Sequence, residues 1–125
     1  MRLRFKFESA ECIAEVYESV APKTVEAIKR VLPIVSRANR WGDEIYFETE
    51  IDCNERENSK EVVELGDLAY WIPGRAFCLF FGKTPISDEF IRPASAVNVI
   101  GKLLCDPLKL KNVRDGEIVF VEEAE

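Results

Sequence analysis

The chain contains no histidine, so the side chain that most often moves protons near neutral pH is missing. Acid–base chemistry would fall to a carboxylate, a thiol, a tyrosine or a lysine with a shifted pKa. Carboxylates come in close pairs, Asp43–Glu44 and Glu48 with Glu50, a spacing that could grip a divalent ion. In a chain with a formal net charge of −6 they read instead as solvated surface acids. The cysteines, Cys12, Cys53, Cys78 and Cys105, are far apart in sequence and form no C-x-x-C redox or zinc pattern. They read as free thiols, with a disulfide as the alternative in a hyperthermophile. The high charge and the lack of glutamine lean toward that source. Lys83–Thr84 has too few glycines around it for a phosphate loop. No metal or cofactor is therefore expected.

The acidic balance and scattered basic residues argue against a nucleic-acid partner, which needs clustered Lys and Arg. No apolar run approaches the roughly 20 residues that span a bilayer, so no membrane partner is expected. Met1 to Phe7 alternates in polarity and lacks the apolar block of a signal peptide, and the protein reads as cytoplasmic. At 125 residues and 47% hydrophobic content it reads as one domain able to bury its own core. The acidic end, Glu122–Glu125, reads as a solvated tail.

The most apolar stretch is Gly66–Pro85, GDLAYWIPGRAFCLFFGKTP. It reads as strands Asp67–Ile72 and Ala76–Phe81 around the bend Pro73–Gly74–Arg75, since aromatic and β-branched residues suit a pleated surface and Pro-Gly marks a turn. Alternation puts Ala69 and Trp71 on one face of the first strand and Tyr70 on the other.

Elsewhere, alternation predicts strands over Arg2–Glu8, Cys12–Tyr17 and Glu44–Ile51, the last with Ile45 and Phe47 opposite Tyr46 and Glu48. Further strands are expected over Glu61–Leu65, Val97–Leu104 and Glu117–Val121. Val25, Ile28, Val31 and Leu32 give a helix beginning near Pro22, and Asp106–Pro107 opens a short second one. Ile34–Gly42 reads as irregular and Asp52–Lys60 as a polar surface loop. About eight short antiparallel strands favour a closed barrel, which removes sheet edges, with helices over its ends.

The same motifs carry a resemblance. Trp41–Phe47 reads W-G-[DE]-E-I-Y-F, Gly66–Pro85 reads G-D-x-x-Y-W-x-P-G-[KR]-A-x-C-[LI]-F-F-G-x-T-P, and Pro93–Lys102 reads P-A-S-A-V-N-V-I-G-K. Across its whole length the chain resembles a small prokaryotic cyclophilin-like family of uncharacterised proteins; its second half more distantly resembles true cyclophilins. The resemblance implies a mainly β fold, a closed eight-stranded antiparallel barrel capped by two α-helices.

True cyclophilins isomerise X-Pro bonds, using an apolar proline pocket and an arginine that stabilises the twisted amide. By that correspondence Phe81 is a pocket wall, Leu79 replaces the pocket glutamine, Trp71 replaces a small alanine and Val97 replaces the pocket histidine. The motif supplying the catalytic arginine has no counterpart, and Arg75, in the bend, is the one stand-in. The correspondence thus implies an outer wall of Trp71, Leu79 and Phe81, with Arg75 at its rim and Tyr46 as a second lining residue. Cys78, of opposite parity to Leu79, would point inward and be inert.

The expected function is a binding module presenting an apolar groove to a peptide or small ligand, without catalytic residues. The alternatives are a weak or divergent prolyl isomerase, and a homodimer built on the aromatic wall; as a binding module the protein is expected to be a monomer or homodimer.

Overall fold

The computed structural model describes residues 1–124. Strands β1 (Arg2–Lys6) and β2 (Glu11–Val16) form the expected hairpin, with Leu3 facing Ala14 and Phe5 facing Cys12 across the ladder. Their inward residues are fully buried, as period-two alternation requires. Helix α1 (Pro22–Val31) follows, with Pro22 at the tolerated first position and Val25, Ala27 and Ile28 turned into the core. No neighbouring side chain caps it. Glu57, far along the chain, accepts hydrogen bonds from the Lys23 and Thr24 amides at 3.1 and 2.7 Å. Burial works against the Glu57 charge, but these bonds prevail and hold its carboxyl below the usual range. The polar stretch after Asp52 is therefore tied to the helix.

The next segment is more regular than its sequence suggests. Strands β3 (Ile34–Arg37) and β4 (Asn39–Trp41) are separated by Ala38 alone and lead through a tight turn into β5 (Glu44–Glu48). After β6 (Ser59–Lys60) come the central strands β7 (Asp67–Trp71) and β8 (Ala76–Phe80), joined by a 3-10 turn over Ile72–Gly74. Strand β9 (Val97–Leu103), a 3-10 helix (Pro107–Asn112) and β10 (Ile118–Ala124) complete the chain. Asp106 caps the 3-10 helix by accepting from the Leu108 amide at 3.1 Å.

The strands form one antiparallel sheet in the order β3-β10-β1-β2-β9-β7-β8-β5-β4, with β6 paired to β9. Its two ends, β3 and β4, are consecutive in the chain, so the bent segment 34–41 nearly closes the sheet into a barrel. The Ser36 hydroxyl reaches across the seam to the Glu48 carbonyl at 2.7 Å. Glu61–Leu65 is not a strand of the sheet; it contributes only an isolated bridge, Val63 to Ile91. Glu122–Ala124 is no solvated tail but part of β10, with Glu122 ion-paired to Arg4 and Lys6, while Glu125 lies outside the described residues. Among the described residues no helix is long and apolar enough to cross a membrane.

Two apolar clusters share the barrel wall. The inner one includes Phe5, Phe47 and Phe77, whose ring centroids lie 5.3–6.2 Å apart. The outer one lies on the other face of the same strands and gathers Val63, Ala69, Cys78, Phe80, Val97 and Val99. Every residue of β8 is buried, since one face meets each cluster.

Register also joins two cysteines. Strands β2 and β9 pair Ala14 with Leu103, and the same register carried outward sets Cys12 opposite Cys105. These two form a disulfide, while Cys53 and Cys78 are free and buried. The expectation of free thiols throughout is thus corrected. The pairing spans 93 residues and becomes visible only once β2 is known to lie beside β9.

Candidate functional site

The outer cluster is not a bare wall. Val63 and Ile91, bridged to each other, pack on it, and a cleft of about 140 Å3 opens beside them. Strand β5 contributes Glu44 and Tyr46 to the cleft, β4 contributes Trp41, and β7 and β8 contribute Trp71 and Cys78. Val97 of β9 and the Pro93–Ala94 turn before it close the remaining side.

Antiparallel register accounts for this gathering, because directly paired residues share a face. Trp41 pairs with Glu44, Tyr46 with Cys78, and Cys78 with Ala69. The β4–β5 turn makes the first pair possible. Gly42 sits at φ 62°, a region that favours glycine, and a Cβ there would lie 2.8 Å from the Lys83 carbonyl oxygen.

Trp71 walls the cleft and does not fill it. Its indole N–H donates to the Ser95 hydroxyl at 2.7 Å, and its ring lies over Gly74, where a Cβ would come within 2.6 Å of it. Glycine in the turn is therefore the condition for this indole position. Trp41 and Trp71 are the chain's two tryptophans, and both line the cleft.

The central chemical feature is Glu44. Its residue is only 5% exposed, and Oε1 is buried without a hydrogen-bond partner. Leaving such an acceptor unpaired costs about 1–3 kcal/mol. Desolvation pushes the carboxyl up to about 7, offset in part by the Cys78 thiol beside it. Burial, and then the Glu44 charge, push that thiol well above its ordinary range, so Cys78 is a poor nucleophile. The adjacent carboxylate fares differently. Asp43 is paired with Arg40 at 3.3 Å and lies 4.0 Å from the Lys111 amine, whereas no cation pairs with Glu44 among the described residues. The reading of Asp43–Glu44 as two solvated acids thus fails for Glu44. No group of His, Cys, Asp or Glu suited to a metal ion occurs among the described residues.

Of the five residues expected to bind ligand, Tyr46 and Trp71 line this cleft. Leu79 and Phe81 do not; they are 0% and 1% exposed and belong to the inner core. The four-residue connection from Ile72 to Arg75 pairs Trp71 with Ala76, so Trp71 shares its face with Cys78 and Phe80 instead. Cys78 correspondingly faces the cleft and not the barrel interior. Arg75 is exposed at the tip of the β7–β8 connection, at φ 47°, with its carbonyl bound by the Thr49 amide and hydroxyl at 2.9 and 2.7 Å. It does not line the cleft. Trp41, Glu44, Cys78, Pro93, Ala94 and Val97 were not among the expected site residues. The W-G-D-E turn held the signal for Trp41 and Glu44, because a two-residue hairpin sets its flanking residues on one face.

The cyclophilin-like family model matches residues 1–122. The chain belongs to the cyclophilin-like family. The solution structure of the hypothetical protein AF2241 from Archaeoglobus fulgidus is 66% identical, with a TM-score of 0.87 over 99% of this chain and 95% of that one. A structure of McbB in complex with tryptophan shares the fold at 12% identity and a TM-score of 0.75, covering 97% of this chain and 44% of McbB. No curated protein matches the sequence. In this member of the cyclophilin-like family the outer face of β5, β7 and β8 carries an aromatic cleft floored by a buried acid.

Proposed function

We propose that the protein is a binding module whose site is the cleft between Trp41, Tyr46 and Trp71, taking a small ligand or a peptide side chain with an apolar body. One observation carries this reading: the Glu44 Oε1 atom is buried without a partner while its side chain lines a cavity that opens on the barrel's flank. An unpaired polar atom of this kind is costly in a purely structural role. It is explained if a bound group completes it. Apolar walls with a few placed polar atoms are the usual make-up of small-ligand pockets.

Efficient prolyl isomerisation finds little support. Trp71 and Val97 line the cleft at the positions where the cyclophilin correspondence has a small alanine and the pocket histidine, and no arginine is among its lining residues. McbB, with the same fold, was solved with tryptophan, which makes that amino acid a natural member of a probe panel.

Because both tryptophans line the cleft, intrinsic fluorescence reports on it with no label. A panel of apolar fragments, amino acids including tryptophan, and short peptides should contain members that change the emission saturably. Amide shifts should fall on the segments 41–47, 69–71, 76–78 and 93–97. If no member of a broad panel changes emission or shifts those amides, the reading is wrong.

A further inference from the structure

We infer that the group the cleft receives is a protonated amine, held as an organic ammonium between the Glu44 carboxylate and the surrounding aromatic rings. This rests on the cleft being a binding site and names the chemistry it selects.

The charged inventory of the cleft is one-sided: Glu44 is its one carboxyl, and no lysine or arginine is among its lining residues. Glu44 Oε1 is an acceptor with no donor. The indole N–H of Trp71 is already used by Ser95, and neither the Trp41 indole nor the Tyr46 hydroxyl donates to Oε1. Around the carboxyl stand Trp41, Tyr46 and Trp71, whose rings attract cations at their faces. Pro93, Ala94 and Val97 add no charge. Arg40 and Lys111 are engaged by the neighbouring Asp43 and do not line the cleft. An anion would meet a carboxyl and π-clouds with no compensating cation. A neutral apolar ligand would leave Oε1 unpaired. An amine carrying N–H donors satisfies the acceptor and gains from the rings, and its apolar body meets the apolar walls.

Binding must then be linked to pH. The titratable groups facing Glu44 are few: the Cys78 thiol on β8, which stays protonated well above neutrality, and the Tyr46 hydroxyl on its own strand. Trp41 on β4, Trp71 on β7, Val97 on β9 and the Pro93–Ala94 turn bring no ionisable group. Ammonium binding needs Glu44 ionised, so affinity should rise as the pH passes through the carboxyl's range near 7 and level off above it.

The test is a tryptophan-fluorescence titration with benzylammonium, benzyl alcohol and benzoate, from about pH 5.5 to about pH 8, on the wild type and on Glu44→Gln. For a carboxyl titrating at about 7, benzylammonium should tighten roughly 30-fold across that range. Benzyl alcohol should bind more weakly and without pH dependence, and benzoate should not bind. Glu44→Gln, which keeps the side chain's shape, should abolish the pH dependence and weaken benzylammonium to the level of the alcohol. The wild-type pH profile stands by itself if the variant folds poorly. If the alcohol binds as tightly as the amine, or if amine binding does not vary with pH, the ammonium inference is overturned while the cleft remains a binding site. If neither these probes nor the broader panel bind, both readings fall together.

Discussion

Replacing Glu44 by glutamine should change how the stability of this barrel depends on pH, with no ligand present. The Glu44 carboxyl has an ordinary value of 4.5 and is pushed up to about 7 in the folded chain, chiefly by desolvation. Between those values the folded protein keeps a proton that the unfolded chain has released, so stability falls as pH rises. The contribution is fully present below 4.5 and has been lost once the pH passes the folded value near 7. The shift of about 2.5 units, 4.5 to 7, corresponds to roughly 3 kcal/mol at 1.36 kcal/mol per unit. Glutamine does not titrate, so this slope should vanish. Urea denaturation of both proteins at steps from about pH 4 to about pH 8 measures the effect, and the difference between the two curves cancels carboxylates common to both. The wild type should lose about 3 kcal/mol relative to Glu44→Gln over that range, most of it between pH 5 and 7. Parallel stability curves would show that Glu44 is solvated or paired, and the account of the cleft's electrostatics would fail with it.

Other perturbations separate the inner and outer faces of the same strands. Leu79→Ala should cost about 2–5 kcal/mol in chemical denaturation, as a fully enclosed leucine does; a loss below about 1 kcal/mol would return Leu79 to an accessible wall. Gly74→Val should drive the Trp71 indole from its seat and shift tryptophan emission, whereas Arg75→Ala should leave it unchanged; wild-type emission in the valine variant would contradict the close contact. Alkylation after denaturation without reductant should label Cys53 and Cys78 only, and reduction should label Cys12 and Cys105 as well. Closing a span of 93 residues, that bond should contribute about 4–5 kcal/mol to resistance against denaturant. Four labelled thiols without reductant would rule the bond out.

Much of the fold could be read from local pattern. The alternation of Leu3, Phe5, Ile45 and Phe47 gave the inner faces of β1 and β5, and Pro22 and Asp106 marked the helix starts. Short elements were harder. Strands β3 and β4 run over only four and three residues, too few for alternation to emerge around the break at Ala38. The lining of the cleft was legible on one strand and misplaced on its neighbour. Counting along β7 set Trp71 beside Ala69 and opposite Tyr70, whereas the grouping of Trp71 with Leu79 and Phe81 on one outer wall came from correspondence with distant cyclophilins. Counting across the four-residue connection from Ile72 to Arg75 would have selected Cys78 and Phe80. Glu44 could not be singled out, because charge and spacing are the same for a solvated acid and a buried one. The cleft that it lines is completed by Pro93, Ala94 and Val97, about fifty residues away along the chain.

The double burial of β8 bears on how relatives of this protein could diverge. A residue such as Cys78 cannot be exchanged freely to suit a different ligand, since β8 has no solvent-facing position to absorb a change in volume. The segment from Gly82 to Ala96 is less restricted, since most of its residues outside Thr84 and Pro93 are exposed or half-buried. It is fastened through its own bonds, Thr84 to Ser87 and Arg92, and Arg92 to Asp88. It meets the cleft only through Pro93 and Ala94 and through the Ser95 hydroxyl that holds Trp71. Selectivity among related barrels should therefore be rewritten along this strap, substitution by substitution, while the strand side of the cleft stays constant.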